Sequence, residues 1–192
     1  MSSSAPDPKY TVPGLSQAEG GEVIRLLSVR LHALNDLALT LKHIHWNVVG
    51  PHFIAVHKML DPQVDSVRKM TDTTAERIST LGGSPHGTPG ALVAERHWED
   101  YTIGRADAIE HLGALDLVYS GVIEDHREAV RATDESDLIT QDMLIEQLRD
   151  LELFQWFVRA HLESAGGSLS TASASSERDA ASKAGEQARK QP

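Results

Sequence analysis

The sequence predicts an all-α protein: four long helices packed as a bundle, with one short extra helix in a long middle connection. Three observations carry this. Apolar residues recur at helical spacing over four stretches, strand-like alternation is absent, and Gly and Pro pairs punctuate the places where helices must stop. The chain has 192 residues, 40% of them hydrophobic, enough for one domain with a sizeable core.

Residues 1–15 hold three prolines and no periodicity, and read as an extended arm. Ser16 to Glu19, "SQAE", is a capping box in which the Ser oxygen and the Glu side chain satisfy each other's orphan amides. The helix that follows carries the stripe Ile24, Leu27, Leu31, Leu34, Ala38, Leu41, and the next position on that stripe is His45. Gly50-Pro51 ends it, since Gly takes a left-handed cap and Pro cannot continue the ladder.

A second helix is expected from about Ile54 to Leu81, with Pro62 in its early turns and Gly82-Gly83 closing it. Residues 82–102 are rich in Gly and Pro, and "ALVAERHW" inside them fits one short helix. A third long helix is expected from about Ile103 to Arg131, with Ile109, Leu112, Leu115, Tyr119 and Val122 on one face. "TDESD" separates it from a fourth, from about Leu138 to Ala165, with Leu144, Leu148, Leu151, Val158 and Leu162 facing in. The bundle thus spans 16–167. Residues 168–192 are Ser/Ala-rich and then mixed in charge, and are expected to be disordered.

Composition narrows the chemistry. With no cysteine there are no disulfides and no thiolate metal sites, so any metal must be held by nitrogen and oxygen. The formal net charge of −10 repels nucleic acid from the body of the protein and attracts cations. No signal peptide is visible at the start and no 18-residue apolar stretch exists, so a cytoplasmic location without a membrane span is expected.

The stretch 42–61, "KHIHWNVVGPHFIAVHKMLD", holds four of the ten histidines. In an antiparallel hairpin about Gly50-Pro51, His45 and His57 sit at similar heights. Asp61, four residues after His57, shares its helix face. The three form a candidate N/N/O cluster. Further along, Asp72 and Glu76 again share one face. They cannot complete the same site within one chain. His57 to Asp72 is roughly 22 Å along a helix axis and Asp61 to Asp72 roughly 16 Å, whereas ligand bonds are about 2 Å long. Two copies of the second helix packed antiparallel would bring the two ends together, giving two identical sites per dimer. The bundle-core alternative, Glu-x-x-His on two helices, is absent from the chain.

Each residue alone also fits an ordinary role. His45 on an apolar stripe fits a hydrogen-bonded core residue, and Trp46 fits packing. Asp61 suits a helix N-terminus. Asp72 and Glu76 fit a solvated face, with Glu76 paired to Arg77 or Arg68.

Taken together, His45-Trp46-Asn47, Gly50, Phe53, His57, Asp61 and Asp72-x-x-Ala75-Glu76-Arg77, with Gly82-Gly83-Ser84-Pro85 after them, resemble the Dps family, the bacterial mini-ferritins. The likeness covers about residues 16–166, and "FQWFVRAHLESAGG" is similar to actinobacterial members. The resemblance implies a ferritin-like four-helix bundle and a homo-dodecameric hollow shell. It implies a two-iron ferroxidase site at the dimer two-fold, with His45, His57 and Asp61 from one subunit and Asp72 and Glu76 from its mate. It also implies oxidation of Fe(II), preferably by hydrogen peroxide rather than dioxygen, with ferric mineral stored inside. Carboxylates and imidazoles suit this, since thiolates would themselves be oxidised. Trp46 beside the site is placed to quench stray oxidising equivalents.

Family members line a three-fold pore with acids near the start of the fourth helix. Here "TDESDLITQD" offers Asp134, Glu135, Asp137 and Asp142, with Asp142 aligning best, although acids at a helix N-terminus also simply meet the macrodipole. Many members bind DNA through a Lys/Arg-rich tail. This chain departs from that pattern. Residues 171–192 hold Arg178, Lys183, Arg189 and Lys190 against Glu177, Asp179 and Glu186, a net of +1. DNA binding is therefore expected to be weak and salt-sensitive. The rival readings are a DNA-compacting nucleoid protein with secondary iron chemistry, and a bundle that holds another metal such as zinc without turnover.

Overall fold

The computed structural model describes residues 8–164 and 166–190. Residues 1–7 of the expected arm lie outside them. The elements run α1 (Gln17–Asn47), β1 (Val48–Val49), α2 (Phe53–Thr80), α3 (Pro89–Glu95), β2 (Ala106–Asp107), α4 (Ala108–Ala132), α5 (Leu138–Leu162) and α6 (Glu177–Lys190). Among the described residues no helix is long and apolar enough to cross a membrane.

The expected capping box starts α1. Ser16 Oγ accepts the Glu19 amide at 3.2 Å, and the Glu19 carboxylate accepts the Ser16 amide at 2.9 Å. Pro62 lies exposed on the outer face of α2 and does not interrupt it. The fourth bundle helix ends at Leu162, a turn before the expected Ala165. The third begins at Ala108 rather than Ile103. The cause is tertiary: Ala106 and Asp107 pair in parallel with Val48 and Val49, which holds them extended and delays the helix. This two-residue bridge ties the α1–α2 turn to the head of α4.

The apolar stripes meet in two core clusters. One surrounds the turn end, with Leu37, Leu41, Ile44, Leu60, Leu115, Tyr119 and Leu151. The other fills the far end, with Val23, Leu27, Leu31, Ile78, Leu81 and Leu144. Buried polar side chains bridge the helices near this boundary. Tyr119 donates to Gln63 at 2.7 Å, and Gln147 donates to Thr74 at 3.1 Å while facing His126 at 3.3 Å. Burial pushes His126 down to about 4, so it stays neutral in its slot.

The tail contradicts its expected disorder. Residues 177–190 form α6, which lies along α4 and buries Ala180, Ala181 and Ala184. Its residues are small because the approach is close. A Cβ on Gly113 of α4 would stand 2.6 Å from the Ala180 carbonyl oxygen and 2.8 Å from Ala184 Cβ. A buried polar node anchors the approach to α6: Asp116 accepts from Arg159 at 2.7 Å and from Thr171 at 2.7 Å.

Gly113→Ala is therefore expected to release α6 while leaving α4 intact, because Ala favours the helix by about 1 kcal/mol but its methyl collides with the tail backbone. Amide exchange should lose protection in 177–190 and keep it in 108–132.

Docking is also expected to depend on pH. Burial, reinforced by Asp36 and Asp100, pushes the Glu177 carboxyl up from 4.5 to about 7. The docked helix therefore binds a proton that the released helix does not between those values, so docking is favoured at low pH and weakens as pH rises through 7. Protection of 177–190, corrected for intrinsic exchange, should be greater near pH 6 than near pH 8, and Glu177→Gln should remove the difference.

Candidate metal centre

Gly50 makes the turn between α1 and α2 with φ 94°, a left-handed conformation that other residues rarely adopt, and Phe53 closes it by donating to the Gly50 carbonyl at 3.0 Å. The last turn of α1 thereby lies against the first turns of α2. His45 Nδ1 donates to the His57 carbonyl at 3.0 Å, and His57 Nδ1 donates to the His45 carbonyl at 2.9 Å. A carbonyl can only accept, so each ring carries a proton on Nδ1, and neither Nε2 has a hydrogen-bond partner among the described residues. The rings stack with centroids 3.6 Å apart and an interplanar angle of 24°. Burial holds the His45 pKa below its ordinary value, opposed in part by the tether to His57, so its ring is neutral near pH 7.

Asp61 is beside this pair but not aimed at the free edges. Its Oδ1 lies 3.3 Å from His45 Nδ1 and accepts from Lys42 Nζ at 3.0 Å. The Lys42 hydrogen bond lowers the Asp61 pKa, helped by both imidazoles. The three expected ligands are thus neighbours, as their spacing implied, yet they do not converge. Among the described residues no group of three or more His, Asp or Glu side chains is placed to hold a metal ion within this chain.

Asp72 and Glu76 lie exposed on the same continuous helix, four turns beyond His57. Neither carboxylate takes a hydrogen bond or ion pair from a described residue. The ordinary pairing of Glu76 with Arg77 does not occur, because Arg77 turns away to α5. There it donates to Asp137 at 2.7 Å and to Thr140 at 2.9 Å.

That contact occupies Asp137, one of the two acids expected at the pore, within its own chain. The carboxylate is buried at the N-cap of α5, where it accepts from Thr140 and Arg77. Burial alone would raise its pKa, but those hydrogen bonds outweigh it and hold it below the usual value. Asp142, Asp134 and Glu135 are exposed. Trp46 does not pack within its own chain. It is 72% exposed, two turns from exposed Leu39 on α1, with Phe53 and Ile54 exposed at the head of α2. His43 faces inward and meets the Ile103 carbonyl at 2.8 Å. Of the tail bases, Lys183 is held by Asp179 at 2.9 Å and by the Ser173 carbonyl at 2.7 Å, Arg189 lies 3.7 Å from Glu110, and Lys190 is exposed.

Sequence reasoning passed over Lys42 and the Arg77 contact. Lys42 precedes Asp61 by 19 residues across the turn, so only the hairpin register could have found it. Replacing Arg77 with Ala should cost roughly 3–5 kcal/mol in urea unfolding, because it strands a buried carboxylate. The exposed Arg68→Ala control should stay within about 0.5 kcal/mol.

A family model described as "Ferritin-like domain" matches residues 24–165. The chain is 56% identical to the DNA protection during starvation protein of Mycolicibacterium smegmatis over 91% of this chain and 96% of that one. The chain belongs to the Dps family. DpsA14 from Streptomyces coelicolor superposes with a TM-score of 0.85 at 68% identity, covering 86% of this chain and 98% of that one. A Dps from Microbacterium arborescens, described as in the high iron form, superposes with a TM-score of 0.72 at 30% identity, covering 80% and 98%. The expected ferritin-like bundle and its actinobacterial likeness are therefore both found.

Proposed function

We propose that this Dps-family chain is the subunit of a cytoplasmic iron-oxidising and iron-storing shell, with its ferroxidase sites formed between subunits. The observation that carries this is the division of ligands along α2. Two imidazoles stand at one end and two carboxylates four turns away at the other, and neither the Nε2 atoms nor the carboxylates have a partner among the described residues. A two-fold mate running antiparallel along α2 would bring the Asp72 and Glu76 of one copy to the His45 and His57 of the other. The exposed Leu39, Trp46, Phe53 and Ile54 flank the turn and supply apolar surface for such a contact. Closure of dimers into twelve subunits follows the family likeness, as does the use of iron, which is named for the Microbacterium arborescens relative.

In this reading Fe(II) is the substrate. Nitrogen and carboxylate donors bind it and tolerate Fe(III). Each ferrous ion gives up one electron, and hydrogen peroxide, or more slowly dioxygen, accepts them and takes up protons to leave water. Peroxide is then consumed by electron pairs from paired irons, which protects DNA without a direct grip on it. The Nδ1 tethers fix the orientation of both rings and place the Nδ1 protons against the backbone, which leaves each Nε2 as the donor edge. Asp61 swings from Lys42 to complete the set. Trp46, at the solvent edge, takes up stray oxidising equivalents. DNA contact is secondary, because Lys183 and Arg189 already have acceptors in their own chain and the protein is acidic.

The experiment mixes apo-protein with Fe(II) and peroxide and follows ferric absorbance and soluble iron. The wild type should oxidise the iron and hold it in solution within a particle that light scattering sizes as twelve subunits. His45→Ala and His57→Ala should slow oxidation at least about tenfold, a change worth about 1.4 kcal/mol in the barrier, and should still assemble. Wild-type rates in both variants would remove the site assignment.

A further inference from the structure

Away from the metal centre, a cavity of about 640 Å³ opens between α1, α4, the 97–102 connection and the first turn of α6. Its size lies in the range of small-molecule sites. Leu37 of α1 and Leu117, Val118 and Val122 of α4 make an apolar floor, and Trp98 and Tyr101 stand over it as aromatic walls. Trp98 is fixed there by donating to Asp36 at 2.5 Å. Gly121 leaves open space, since a Cβ built on it would meet nothing within 4 Å.

The charged groups on the rim are unbalanced. Asp36, Glu99, Asp100, Asp125 and Glu177 face it, against Arg178 and His97. Several are already answered: Arg96 pairs with Asp100 at 3.0 Å and approaches Asp36 at 3.9 Å, Arg30 pairs with Asp125 at 2.7 Å, and Arg178 donates to Thr102 at 3.0 Å. Glu177 has no counterion among the described residues. Asp36 and Asp100 act on it as like charges. A carboxylate at the mouth of an apolar cavity, with two anions for company and no cation of its own, asks for a positive charge on an apolar body. A bare metal ion fits poorly, because no three acid or imidazole groups converge among the described residues and the floor offers no donors.

We propose that this cavity is a binding site for a small amphiphilic organic cation, whose ammonium pairs with Glu177 at the head of α6 and whose apolar body lies on the α1–α4 floor between Trp98 and Tyr101. The site is independent of the proposed iron chemistry and uses none of its residues.

Calorimetry on the assembled full-length protein near pH 8, where Glu177 is mostly ionised, tests this with two probes of the same body and opposite charge. Phenethylamine should bind at least about tenfold tighter than 3-phenylpropionate. Glu177→Gln should erase most of that preference, since it keeps the shape and loses the charge. Gly121→Leu should abolish binding by filling the cavity, with peroxide-driven iron oxidation and particle size unchanged. The proposal is overturned if phenethylamine does not bind at millimolar concentration or binds no better than the acid. It is also overturned if Glu177→Gln keeps the full preference or Gly121→Leu leaves binding intact.

Discussion

The continuity of α2 is the constraint on which the rest depends. One unbroken helix from Phe53 to Thr80 carries His57 and Asp61 near its head and Asp72 and Glu76 far along it. At about 1.5 Å per residue the two ends cannot meet, and Pro62 does not bend them together. Whatever these groups do jointly, they must do across a boundary between chains. The same helix fixes the hairpin register that stacks His57 on His45, and it sends Arg77 to the N-cap of α5. The stacked histidine pair and bundle closure are thus set by one rigid element.

Within the chain the two histidines reconcile burial with the need of an imidazole for hydrogen-bond partners. His45 is almost fully buried, which would ordinarily make it a core residue. The structure satisfies it through Nδ1, against the backbone of the opposing helix, and Nε2 has no hydrogen-bond partner among the described residues. Asp61 is held differently. Lys42 neutralises it, so an isolated chain does not present an uncompensated anion at its turn. In the proposed site a metal would exchange that lysine for a doubly charged ion, an exchange that the carboxylates of a second chain would favour.

Much of this was legible in the sequence, and the parts that were not share a cause. The helices, the Ser16 capping box, the Gly50 turn and the proximity of His45, His57 and Asp61 follow from local spacing. The misses are tertiary. The head of α4 moved because Ala106 and Asp107 are captured by β1. Asp137 reads as a free acid near a helix start until Arg77, 60 residues earlier, folds onto it. The tail was the largest miss. Its Ala and Ser content resembles low complexity, and only the pairing of small Ala180 and Ala184 with a glycine about 70 residues away on α4 makes it a docked helix. Periodicity shows which faces are apolar, but not which small faces fit each other.

The division of ligands between chains is tested most directly by mixing damaged subunits. Asp72→Ala and His57→Ala chains, each carrying a different tag, are co-assembled from unfolded or dissociated material, and doubly tagged dimers are isolated. In each parent both sites lack one ligand. In a mixed dimer one site lacks both and the other keeps all five, so the account predicts recovery toward about half the wild-type ferroxidase rate per mixed dimer. A mixed-dimer rate equal to the average of the two parents would place all the ligands in one chain and contradict it.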